Sequence, residues 1–111
     1  DGKATRSCQV TIAELEGTFI TTIEGLSEDG DVRDLQDAFV RHNALQCGFC
    51  TPGMVMSAAE LLNRDSTPDR PTIRNELSGN LCRCDLWPNL SRPWLKMLQI
   101  LKRETGLRFF Q

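Results

Sequence analysis

Residues 46–54 read QCGFCTPGM. Cys47 and Cys50 stand three apart, and Thr51-Pro52 follow at once. Thr51 is a good helix N-cap. Pro52 then falls at the first helical position, where a missing N–H and a fixed φ are best tolerated. Beyond it, Met54, Val55, Ala58, Leu61 and Leu62 form one apolar stripe at helical spacing, and Asn63-Arg64-Asp65-Ser66 ends it. The stretch thus predicts a loop with two cysteines that runs straight into a helix. A second pair, Cys82 and Cys84, stands further on in GNLCRC at 79–84.

The flanking sequence also reads as helix. Val32, Leu35, Ala38 and Phe39 share one face of a helix running to about Asn43, with acids at its start that suit the positive end of the dipole. Ile73 and Leu77 mark a short helix over Thr72–Leu77, stopped by Ser78-Gly79-Asn80 with Gly79 as a left-handed terminator. Trp94, Met97, Leu98 and Leu101 share a face over 91–104, with Pro93 in the first turn. Residues 24–31 (EGLSEDGD) read as a loop. Residues 5–23, rich in Thr, Val, Ile and Phe, read as two short extended segments and a turn. The body over about 31–105 is therefore mainly α, four helices that must pack on one another to persist.

The 111 residues suit one compact domain, or one domain and a fragment of another. A formal charge of −2 with no dense Lys/Arg run argues against nucleic acid, and no apolar stretch is long enough for a membrane span. The chain opens on Asp1 in DGKATRSC, which reads as a truncated or processed end. Five cysteines are an odd number, so internal disulfides would strand one thiol. That favours a reducing, cytoplasmic setting in which clustered cysteines bind metal, with export alongside a partner left open.

Near a helix N-terminus, Cys47 and Cys50 are favoured as thiolates. Cys82 and Cys84 flank only Arg83. A disulfide that short is strained, and the Arg83 charge helps keep its neighbours ionised. Two such pairs make a four-sulfur site, and the spacing leaves a structural zinc and an iron–sulfur cluster both open. Gly48 and Gly79 would let backbone N–H groups come close to the sulfurs. His42, the one histidine, sits on a polar helix end as a solvated side chain. Met54 and Met56 read as packing. No paired carboxylates and no Ser/His/Asp set are present, so the chain is expected to carry out no substrate chemistry of its own.

ITTIEGL (20–26), LQDAF (35–39), QCGFCTPGMVMSAAELL (46–62) and GNLCRC (79–84) together resemble the iron–sulfur subunit of the molybdenum hydroxylases, the xanthine dehydrogenase and aldehyde oxidoreductase family. The resemblance implies an electron-transfer module of an oxidoreductase. Its [2Fe–2S] cluster would be held by Cys47, Cys50, Cys82 and Cys84, with Gln46, Gly48, Gly79, Asn80 and Arg83 around it. Gln46 and Cys84 match positions that face the pterin. The implied partners are a molybdopterin-binding large subunit and a flavin (FAD) subunit or cytochrome. Residues 1–26 would be the end of a plant-type [2Fe–2S] ferredoxin domain with its linker, 27–105 the four-helix domain and 106–111 a tail. Cys8 matches the fourth ligand of the plant-type cluster, whose other three ligands this chain lacks. Asp85-Leu86-Trp87 stands where the family usually has Thr-Gly-Tyr, which implies a lower potential or a weaker cluster. The alternatives are a structural zinc module and a degenerate fragment without a cluster.

Overall fold

A computed structural model of the chain describes residues 1–28, 31–65 and 68–84. Within them run four helices, α1 (Ile23–Glu28), α2 (Asp31–Arg41), α3 (Thr51–Arg64) and α4 (Arg70–Leu77). The helix expected over 91–104, the Asp85-Leu86-Trp87 departure and the tail lie outside the described residues.

Helix α3 is the axis of the fold. The apolar stripe read from the sequence is its buried face: Met54, Val55, Ala58, Leu61 and Leu62 are all buried. Against it pack Val32, Leu35, Ala38 and Phe39 of α2, Leu26 of α1 and Ile73 of α4, in one continuous core. Burying a side chain such as Leu35 or Phe39 contributes roughly 1.5–3 kcal/mol. Polar ties fix the angles between elements. Gln36 Nε2 donates to Ser27 Oγ at 2.7 Å, joining α2 to α1. Arg64 pairs with Glu76 at 2.8 Å, joining the end of α3 to α4.

Four expectations change. Residues 24–31 are not all loop, because Ile23–Glu28 is a helix. Burial of Leu26 and the bond from Ser27 Oγ to the Ile23 carbonyl at 2.6 Å hold a turn that local propensity alone would not. Residues 5–23 contain no strand. Ser7–Gln9 and Ile12–Leu15 are 3-10 turns, the second closed by a capping box between Thr11 and Glu14. Among the described residues there is no neighbouring strand for an extended segment to pair with. Thr51 is not the cap of α3. Cys50 is, without a side-chain capping bond, and Thr51 is the first helical residue. Helix α4 starts at Arg70, two residues before the start expected from periodicity, and Asp69 caps it by accepting from Thr72 N at 2.9 Å.

The end of α2 aims the chain at the cysteines. Asn43 has φ 50°. Its N–H donates to the Val40 carbonyl, and the Ala44 N–H donates to the Phe39 carbonyl at 2.8 Å. This is the pattern that ends a helix in a left-handed residue, here an asparagine. Ala44 and Phe39 are both buried, so the turn is anchored in the core just before Leu45-Gln46-Cys47.

Candidate metal centre

Two loops build the site. The first, 45–50, connects α2 to α3. Gly48, at φ +80°, reverses the chain between the two cysteines. Any side chain there would be strained, and the reversal brings the Phe49 N–H to the Cys47 sulfur. The second loop, 78–84, leaves α4 and returns across the start of α3. Its anchor is Asn80, whose Nδ2 donates to Ser57 Oγ at 2.8 Å. A Cβ on Gly53 would stand 3.0 Å from Asn80 Oδ1, so Gly53 and Ser57, one turn apart, form the bed on which Asn80 lies.

Gly79 is not left-handed, contrary to the sequence expectation, because its φ is not positive. Its lack of a side chain leaves room for another residue. The Arg6 guanidinium occupies the place a Cβ would take. Arg6 thus lies on the loop that carries Cys82 and Cys84, and the N-terminal segment is further tied to α3 where Ala4 N donates to Glu60 Oε2 at 3.1 Å. Sequence reading missed Arg6, Gly53 and Ser57. The one available sign was the i, i+4 spacing of the two small residues on α3.

The four thiols meet across the loops as two pairs. Cys47 lies beside Cys84, and Cys50 beside Cys82, each close enough to shift its neighbour's ionisation. All are free thiols. Cys50 and Cys82 pack against the hydrophobic core, whereas Cys47 and Cys84 are exposed. Ionisation follows this geometry. The Phe49 N–H, with help from the Cys84 thiol, holds Cys47 below its ordinary value. Burial, then the bond and charge of Cys82, push Cys50 up to about 11. The Cys47 N–H works to lower Cys84, but the shared proton and charge of the Cys47 side chain and partial burial outweigh it, so Cys84 is raised. The outer pair therefore shares a proton that Cys47 gives up first.

Among the described residues, no group of three or more His, Cys, Asp or Glu side chains is arranged to hold a single metal ion. Two thiol pairs, each able to serve one metal, match the donor set of a binuclear iron–sulfur group, which takes four thiolates. Of the other sequence-predicted residues, Gln46 and Arg83 are exposed beside Cys47 and between Cys82 and Cys84. Cys8 is exposed in a 3-10 turn of the N-terminal segment, and His42 is half-buried at the end of α2. Thr51 Oγ1 is buried with no hydrogen-bond partner among the described residues.

The comparisons with known proteins give the family. The [2Fe-2S] binding domain family matches residues 22–91. The chain belongs to that family. Its sequence is 54% identical over 84 residues to the nicotine 6-hydroxylase small subunit of Paenarthrobacter nicotinovorans, covering 76% of this chain and 50% of that protein. It is 39% identical over 84 residues to the nicotinate dehydrogenase small FeS subunit of Eubacterium barkeri, covering 76% of this chain and 54% of that protein. The fold is similar to the crystal structure of quinoline 2-oxidoreductase from Pseudomonas putida 86. There the TM-score is 0.75 at 39% identity, over 96% of this chain and 67% of that one. The chain spans about half the length of the curated relatives it matches. No helix among the described residues is long and apolar enough to cross a membrane.

Proposed function

We propose that this chain is an electron-transfer module of a molybdopterin-dependent hydroxylase or dehydrogenase, and that Cys47, Cys50, Cys82 and Cys84 hold its [2Fe–2S] cluster. The observation that carries the reading is the two-by-two meeting of the thiols. Cys47 with Cys84 would hold one iron, and Cys50 with Cys82 the other. When bound, such a cluster supplies a one-electron couple. The chain's own residues do the rest. Gly48 turns the Phe49 N–H onto Cys47. Asn80, Gly53 and Ser57 fix the second loop against the first. The core behind Cys50 and Cys82 keeps water from the inner side. A structural zinc is less well supported, because one ion would need three or four thiols converging on one point.

The outer side carries the proposed docking surface. Phe49 is 93% exposed and Leu81 78%, and they stand beside Cys50 and Cys82 with Leu45 nearby. Large apolar side chains so exposed beside a cofactor site suit a protein partner. Here the partner is a molybdopterin-binding large subunit, faced by Gln46 and Cys84. A flavin subunit or a cytochrome would accept the electrons. Residues 1–26 are read as the end of a plant-type ferredoxin domain, with Cys8 as one ligand of a cluster completed only in a longer chain. Five free thiols suit a reducing, cytoplasmic compartment.

The test is metal analysis, a visible spectrum and EPR after dithionite on the anaerobically purified chain. Two irons per chain and one S = 1/2 signal, both lost in Cys47→Ser and Cys84→Ser, are expected of a single [2Fe–2S] cluster. One zinc per folded chain, with no iron, would overturn the proposal.

A further inference from the structure

Thr51 is the polar residue that the four-thiol arrangement leaves unexplained. It follows Cys50 directly. Because Cys50 takes the cap position, the Thr51 hydroxyl has no capping bond to make. Its Oγ1 is nonetheless buried, without a partner among the described residues. A buried hydroxyl left unpaired costs about 1–3 kcal/mol, and native proteins carry few such groups without a missing partner to account for them. A bridging water would itself need two to four polar partners. The adjoining Cys50 packs against an apolar core in which no polar or charged residue is buried, among the described residues. None of the thiols bonds it either, so the acceptor that remains is the sulfur of the group those thiols would bind.

We infer that the Thr51 hydroxyl donates a hydrogen bond to a sulfur on the Cys50 side of the bound cluster and so helps set its reduction potential. The inference rests on the proposed cluster. Its physical basis is charge. One-electron reduction adds a negative charge to the sulfur-rich group, and a donor aimed at sulfur stabilises that charge, which raises the potential. Thr51 is a positioning residue in this sense and touches no substrate.

The test uses the whole 111-residue chain, loaded anaerobically with iron and sulfide and titrated by EPR against redox mediators. Thr51→Val keeps the side chain's shape and removes the donor, Thr51→Ala removes donor and shape together, and Thr51→Ser keeps the donor. Both donor-free variants are expected to shift the reduction equilibrium against the reduced form by about tenfold, which is about 59 mV for one electron. Thr51→Ser is expected to stay within about threefold of the parent chain, about half that shift. In the metal-free chain, Thr51→Val should be at least as stable as the parent, since it removes an unpaired buried hydroxyl. Two irons per chain with unchanged midpoints in Thr51→Val or Thr51→Ala would overturn this inference and leave the cluster standing. Failure of the parent chain to take up iron would overturn both.

Discussion

Cys50 and Cys82 lie against the hydrophobic core, and Cys47 and Cys84 stand at the surface. The same residue type on the same two loops therefore does two jobs. The inner pair is a structural seam. The Cys50 thiol resists ionisation, with a value of about 11, and in the metal-free chain both side chains of the pair pack as small apolar groups. The outer pair is a chemical edge. Cys47 is readied for ionisation by the Phe49 N–H and stands, with Cys84, at the exposed side of the site, where Phe49 and Leu81 are also exposed. The lesson is that a four-thiolate centre need not be prepared evenly. One half is set by packing and the other by backbone hydrogen bonds.

The strongest way to break this contrast is to remove the packing. Leu35→Ala should destabilise the chain by about 2–5 kcal/mol and make all four thiols react with an alkylating reagent at similar rates. If Cys50 stays protected in a chain so weakened, the core is not what shields it. Next in size, Cys50→Ser should cost the metal-free chain about 1–3 kcal/mol, through a hydroxyl placed against apolar neighbours. Cys47→Ser should stay within about 0.5 kcal/mol, as surface changes do. Equal losses in denaturant melts of the two would erase the inner–outer distinction.

The pH dependence sharpens it. The folded-state value of Cys50 lies above its ordinary 9.0, so the metal-free fold favours the protonated thiol. That contribution is fully present below about pH 9 and is lost as pH rises towards about 11. Cys47 is shifted the other way and should be the first thiol alkylated as pH rises, with Cys50 the last. Mass mapping of the modified residues checks the order, and reversal would show that accessibility does not follow the two pairs. Asn80→Ala should cost about 0.5–1.5 kcal/mol, for one net hydrogen bond. Loss of metal should nevertheless be faster in that variant, because the loop carrying Cys82 and Cys84 is released.

Which parts were legible in the sequence follows from how local their causes are. The buried faces of α2 and α3 follow from periodicity alone, since Val32, Leu35, Met54 and Ala58 repeat at helical spacing and nothing in the fold overrides them. Helix α1 was hidden, because Gly25, Ser27 and two glutamates read as a turn and only the burial of Leu26 makes them helical. Gly79 was visible as a special glycine but for the wrong cause. What lies over it is the side chain of Arg6, far away in the chain. The four cysteines could be paired two by two, yet which thiol meets which crosses the loops and depends on Asn80 lying on Gly53 and Ser57. The place of Thr51 turned on a one-residue shift of a helix start, which spacing does not resolve.

The bed under Asn80 also has a temporal meaning. Gly53 and Ser57 face the same way only once α3 has wound through a full turn. Before that, Cys82 and Cys84 are not held beside Cys47 and Cys50. The second loop can dock, and the site close, only after the helix exists. Premature or mistaken metal capture during synthesis is thereby disfavoured, and loading becomes a report that the surrounding chain has finished folding.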